Sequence, residues 1–438
     1  MSNLNLDRRH LLRVGAVSTA VSMSGWMGQL ARAAEEKKVK PKRSCILLWM
    51  NGGPATIDLW DRKLDHENGG PFKEIATKSP ALKIGEHLPK IAAFGDRLAV
   101  LRGMSTKEGD HGRGTYLMRT GVMPSAAGIQ YPSVGALVSK ELGDPHAELP
   151  NFISIAPQRF FSADAYGPGF LGPQHAALVV GDNQFNNNAP NVDQVLKVQD
   201  LDRPKSIDEA TSASRIDMLR DVQEEFAAGR PGAVSKTHSA AYDRAIRLMQ
   251  SAGGKVFDLT EEKAEVRDKY GRNLFGQGCL LARRLVEKGV PFIEVSLGNW
   301  DTHGNNFDLV KGLCGTLDAA WAALMGDLKD RGLLESTTIV WMGEFGRTPK
   351  INGAKGRDHF ANAWSTVIAG GGVKGGQAIG KTSKDGTTVE ERPTTAGDLM
   401  ATVAKVLGIN PEKTNMSNVG RPIPIADRTA TPIAEVIA

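Results

Sequence analysis

From residue 44 onward the chain alternates between two hydrophobic patterns. Short apolar runs at 44–50, 98–104, 151–156, 176–180, 291–297, 337–342 and 365–369 predict strands. Successive strand residues face opposite sides of a sheet, so runs that are apolar throughout predict a sheet covered on both faces. Between them, apolar positions recur at helical spacing over 133–142, 210–228, 238–251, 273–288, 309–331 and 396–407. Within 273–288, Phe275, Cys279, Ala282, Leu285 and Val286 share one face, and Gly289 stands where a helix would stop. Strands alternating with helices predict an α/β fold with a doubly wound, mostly parallel sheet. The stretch 206–271 differs: it is charged, helical in pattern and without strand runs. It reads as a helical insertion in a single domain spanning 43–438.

The first residues follow another logic. Asp7-Arg8-Arg9-His10-Leu11-Leu12-Arg13 precedes a weakly apolar stretch over 14–30, and Ala31-Arg32-Ala33 follows. A charged start, a short apolar region and a small-x-small site predict a secretory signal over 1–33, and the paired arginines resemble a twin-arginine signal. A charged linker occupies 34–42. The expectation is a mature protein exported folded, located in the periplasm or outside the cell, with no membrane span. The leader also changes the charge picture. Of the formal net charge of +5, the leader supplies +3 (four arginines against Asp7), so the rest of the chain is near neutral and shows no nucleic-acid footprint. The 3 cysteines, Cys45, Cys279 and Cys314, are too few for a disulfide framework and sit in apolar contexts that predict buried thiols.

Four Gly-rich polar segments each follow a predicted strand, and ligands in open α/β sheets collect at the carboxyl ends of strands. The first, NGGPATIDLWD (51–61), places Asn51 at a strand end and Gly52-Gly53 where backbone can approach a ligand; Asp58 and Asp61 read as turn or capping residues. The second, DHGRGTYLMRTG (110–121), puts His111 and Arg113 at a helix start. There the helix N-terminus and Arg113 read as an anion subsite; the alternative is that Asp110 merely caps the helix. The third, NWDTHGNNF (299–307), has Asp301 and His303 two apart in a loop, a carboxylate and an imidazole able to face one divalent ion. The fourth joins GEFGRTP (343–349) to GRDHF (356–360). Glu344 needs a partner at a strand end, and Arg347 either neutralises it or binds a substrate oxyanion. Asp358-His359 adds a second carboxylate–imidazole pair. Of the 9 histidines, His111, His303 and His359 are the best candidates, with His175 undecided.

Together, behind a twin-arginine leader, these motifs resemble the DUF1501 family of exported bacterial proteins, which is placed in the alkaline phosphatase-like superfamily beside sulfatases and phosphopentomutases. The resemblance implies a doubly wound α/β sheet with metals at the strand ends. It relates Asp301 and His303 to that superfamily's Asp…His metal pair, Glu344-Phe345-Gly346 to its Asp-His-Gly, and His359 to its final metal-binding His. Arg119-Thr120-Gly121 resembles the end of the sulfatase nucleophile helix, which places His111 at the nucleophile position. Asn51 stands where the first metal-binding Asp is usual. The resemblance therefore implies a divalent ion (Zn, Mn or Ca) on Asp301, His303 and His359, with Glu344 and Asn51 as further candidate ligands. His111 is left as ligand, general acid/base or nitrogen nucleophile. The implied catalytic set is His111, Glu344, Arg113 and Arg347, with either arginine orienting anionic oxygens. The implied activity is hydrolysis of a sulfate or phosphate ester on a small molecule or polysaccharide; the alternative is a non-catalytic exported binding protein on the same fold.

Overall fold

The computed structural model describes residues 42–124, 127–181, 191–229 and 233–438. The expected signal at 1–33 and the linker except for its last residue lie outside the described residues. Residues 43–438 form one compact unit.

Eight strands form the main sheet: β1 (Ser44–Met50), β2 (Leu98–Met104), β3 (Phe152–Ile155), β4 (Leu178–Val180), β5 (Phe292–Leu297), β6 (Thr337–Met342), β7 (Trp364–Gly370) and β8 (Gln377–Ile379). Their order is β8-β2-β7-β6-β1-β5-β3-β4. All run parallel except β7, which pairs antiparallel with both β2 and β6. Seven strands fall where the apolar runs place them. β8 escaped the sequence reading because it is three residues long, between Gly376 and Gly380, at the sheet edge.

The longer helices among the described residues are α1 (His111–Thr120), α2 (Val134–Leu142), α3 (Glu209–Ala228), α4 (Ala233–Gln250), α5 (Leu274–Glu287), α6 (Asn306–Asp330) and α7 (Ala396–Val406). The central strand shows why its run has no polar alternation. Ile46, Leu48 and Met50 point into a core with α5 and α6, while Cys45, Leu47 and Trp49 point into a second core with α1, α2 and α7. Every residue of β1 is buried, as a strand sandwiched between two helical layers requires. The three cysteines are free and buried, and burial pushes the Cys45 thiol up to about 12. None of the described helices is long and apolar enough to cross a membrane.

Candidate metal centre

Because β7 is reversed, the loop before it lies at the same sheet edge as the loops that follow β1, β2, β3, β5 and β6. That edge gathers His111, Asp301, His303, Glu344, Arg347 and His359. Gly52 lets two of these loops touch: its φ is +112°, and a Cβ there would lie 2.5 Å from the backbone nitrogen of Asp301. The loop carrying Asp301 and His303 is bent at Asn299 and Asn305, both left-handed, a conformation asparagine tolerates better than most residues.

The arrangement is tight. His303 Nε2 lies 3.0 Å from His359 Nε2. Asp301 Oδ1 lies 3.1 Å from the first and 3.2 Å from the second. His359 Nδ1 donates to the Gly109 carbonyl (2.7 Å), an acceptor only, so this nitrogen carries the proton. His303 Nδ1 faces Asp358 Oδ1 at 2.7 Å in the same way. Both Nε2 lone pairs are thereby turned toward each other and toward a carboxylate oxygen, three electron-rich atoms with no proton between them when both rings are neutral. A divalent cation would resolve that repulsion. Ligand atoms about 3.3 Å apart are what tetrahedral coordination at zinc–ligand distances gives, and the second acceptor on each ring is the usual device for orienting metal-binding histidines.

His111 supplies a third imidazole. Its Nδ1 lies 2.7 Å from Glu344 Oε1 and its Nε2 3.4 Å from Asp301 Oδ2, with no hydrogen bond at the buried Nε2. His111, Asp301 and His359 each offer a ligand atom, all within 4.8 Å of one another. The His111 ring stacks on Phe161 (4.2 Å, 7° between planes). Burial alone would lower its pKa, but the nearby carboxylates of Asp301 and Glu344 raise it to about 9. For Asp301, burial works to raise the carboxyl, yet His111, His359 and Arg347 hold it far below the usual carboxylate range.

Glu344 is fully buried. Its Oε1 accepts from His111 and from the Gly52 backbone (2.9 Å), and its Oε2 has no partner. Phe345, where the resemblance places an imidazole, is buried against Gly53 and Gly114 and tilts beneath His111 and His359 as an apolar floor.

Three of the expected residues already have partners of their own. Asn51 is buried, with its amide nitrogen on Gln158 Oε1 (2.8 Å) and its oxygen taken by the Trp49 indole (3.3 Å), so its side-chain acceptor already has a donor. Arg113 lies two positions beyond His111 on α1, which turns it to another helix face. It is exposed and paired with Glu108 (2.8 Å), while Asp110 caps the helix through the Arg113 backbone nitrogen. Arg347 forms no direct ion pair with Glu344. Its buried guanidinium is spent on Asp301 and on the carbonyls of Gly52, Gly53 and Arg357.

Asp58 was read as a turn residue, and its setting was missed. Fully buried, it takes Arg357 through both oxygens (2.8 and 2.9 Å) and Asn306 (2.8 Å), with Arg62 at 3.2 Å. It ties the β1 loop to the segments that carry His303 and His359.

A mostly parallel α/β sheet carrying a carboxylate–imidazole cluster at its carboxyl edge defines the class. DUF1501, described as a family of proteins of unknown function, matches residues 42–437, and the chain belongs to it. No curated protein matches the sequence. Among solved structures, the chain is similar to the lipoteichoic acid synthase LtaP from Listeria monocytogenes (10% identity, covering 89% of this chain and 75% of that one, TM-score 0.40). It is also similar to the PsFucS1 sulfatase from Pseudoalteromonas sp. (13%, 86% and 70%, 0.40). A third is the phosphonate monoester hydrolase SpPMH from Silicibacter pomeroyi (12%, 85% and 74%, 0.34). Likenesses this distant leave the chemistry to the site itself.

Proposed function

We propose that this chain is a divalent-metal-dependent hydrolase of an anionic ester, phosphate or sulfate, exported to the periplasm or beyond and acting on a small molecule or polysaccharide. One observation carries the reading: the Nε2 atoms of His303 and His359 and the Oδ1 of Asp301 converge to 3.0–3.2 Å, with both Nδ1 protons held elsewhere. Asp301, His303 and His359 would hold the ion, with His111 Nε2 as a fourth donor. The imidazole-rich set suits Zn²⁺ or Mn²⁺ better than Ca²⁺. Bound there, the ion supplies a Lewis acid for an ester oxygen.

The chain's own groups divide the remaining work. Arg347 fixes Asp301, and Asp358 and Gly109 fix the two rings. Glu344 sets the His111 ring orientation and shares a proton with it, so this pair is the proton-handling unit of the site. The side chains of Asp301 and His303 are 40% and 48% exposed, which leaves the cluster open to a substrate. A binding protein without catalysis is the second reading, favoured by Asn51 being tied up at a position where the superfamily carries a ligand.

The test is elemental analysis of protein purified without added metal, followed by a screen of aryl phosphates and sulfates with metal add-back, beside His303→Ala. About one ion per chain, turnover restored by add-back and loss of turnover in a folded His303→Ala protein are expected. Full activity in that variant overturns the ligand assignment. A metal-free protein that no divalent ion stabilises against heat favours the binding reading.

A further inference from the structure

A second polar cavity lies at the opposite edge of the sheet, where β3 and β4 begin. It measures about 410 Å³ and is lined by Lys140 of α2, His175 before β4, and Arg244 and Arg247 of α4, with Asp144 and Asp243 among its other polar residues. The two arginines are held by backbone rather than by acids. Arg244 donates to the carbonyls of Gln174 (2.6 Å) and Ala176 (3.3 Å), and Arg247 donates to that of Pro145 (2.9 Å). The Nε of Arg247 is buried without a partner. Lys140 donates to the side-chain oxygen of Asn415.

Among the described residues, none of these three cations forms an ion pair, although Asp243 stands one helical turn before Arg247. Asp144 is occupied in part by the His146 backbone nitrogen (2.8 Å). Next door, burial first and then Lys140 and Arg244 pull His175 down to about 4, and its ring meets Ser139 (3.3 Å). Carbonyl-anchored guanidiniums keep a fixed orientation and an unneutralised charge, the state in which arginine recognises planar or tetrahedral oxyanions.

We propose that this cavity is a binding site for an oxyanion group (phosphate, sulfate or carboxylate) of a small molecule, with Lys140, Arg244 and Arg247 as the recognising cations. The site is independent of the metal centre. It joins α4 to α2 and to the segment before β4, so its ligand also fastens the helical stretch onto the sheet.

Calorimetric titration of the full chain with inorganic phosphate, sulfate and citrate, in chloride buffer at constant ionic strength, tests this. The expected result is saturable binding of at least one of the three that survives in His359→Ala and weakens about tenfold in Arg247→Gln and in Lys140→Gln. The preferred anion identifies the group recognised. Unchanged affinity in both cation variants, or loss of binding in His359→Ala, overturns the proposal, as does absence of saturable heat with all three anions. Should Arg247→Gln fail to fold, Lys140→Gln, whose ammonium touches only a side-chain oxygen, carries the test alone.

Discussion

Glu294 and Glu344 are both buried to 0% exposure, and they are satisfied very differently. Glu294, in the middle of β5, has both oxygens engaged: Oε1 accepts from Ser154 (2.7 Å) and Oε2 from Arg119. The Arg119 guanidinium also lies 3.6 Å from the Tyr166 ring centre, which accounts for the one guanidinium nitrogen lacking an acceptor. Glu344, just past β6, shares one oxygen between His111 and a backbone nitrogen and leaves the other without a partner. A closed network resembles a structural element. A buried carboxylate oxygen left open, beside an imidazole aimed at a cluster of donors, costs stability that only a further ligand or proton transfer makes useful.

The largest effect expected on this contrast is at Glu294. Glu294→Ala strands the Arg119 charge in a dry core and should cost about 3–5 kcal/mol, read by urea unfolding. A Glu294→Leu, Arg119→Met double variant should lose less than that single, because no charge is left unpaired. A single-variant cost below about 1 kcal/mol would erase the structural half of the comparison. Glu344→Gln should behave in the opposite way. It preserves shape and can keep the Gly52 hydrogen bond, so stability should move by about 1 kcal/mol or less. Turnover on whichever ester the screen identifies should fall about 10²–10³-fold, as loss of a proton-handling group does.

That contrast was only half legible in the sequence. The strand ends were readable, because continuous apolar runs locate β1, β5 and β6 and so locate the polar residues that follow them. The choice of partners was not. Arg347 and Glu344 are three apart and look like a pair, yet Arg347 reaches Asp301 on a different loop, and Glu344 takes His111 from a third. Which loops touch depends on strand order and on the reversal of β7, neither of which is encoded in local spacing. Asp58 shows the same limit: its partners Asn306 and Arg357 are 248 and 299 positions away. Arg113 is the converse case: it is close in sequence to His111, yet in the structure its side chain pairs with Glu108 on another helix face.

A smaller effect should separate the groups proposed to hold a metal from those proposed to aim its ligands. Asp358 touches His303 only at Nδ1, and both side chains are about half exposed. Asp358→Asn should leave thermal stability unchanged while weakening metal affinity about tenfold in chelator competition, because the ring loses the charged acceptor that fixes its tautomer. An unchanged affinity would mean that the His303 orientation is set by the loop backbone alone.

The smallest effect belongs to Arg113, and its smallness is informative. The Arg113–Glu108 pair is solvent-exposed on the arginine side, and such pairs contribute about 0.5 kcal/mol or less. Arg113→Ala should therefore leave unfolding, metal content and kcat/KM where they are. A tenfold loss of kcat/KM with normal metal content would show that substrate draws this side chain away from Glu108 and into the site. The positive charge that recognises the anion would then come from the start of α1, and Arg347 would be confined to holding Asp301. An unchanged kcat/KM instead leaves the metal and its imidazole ligands as the source of that positive charge, and makes the open oxygen of Glu344 a feature of the reacting centre itself.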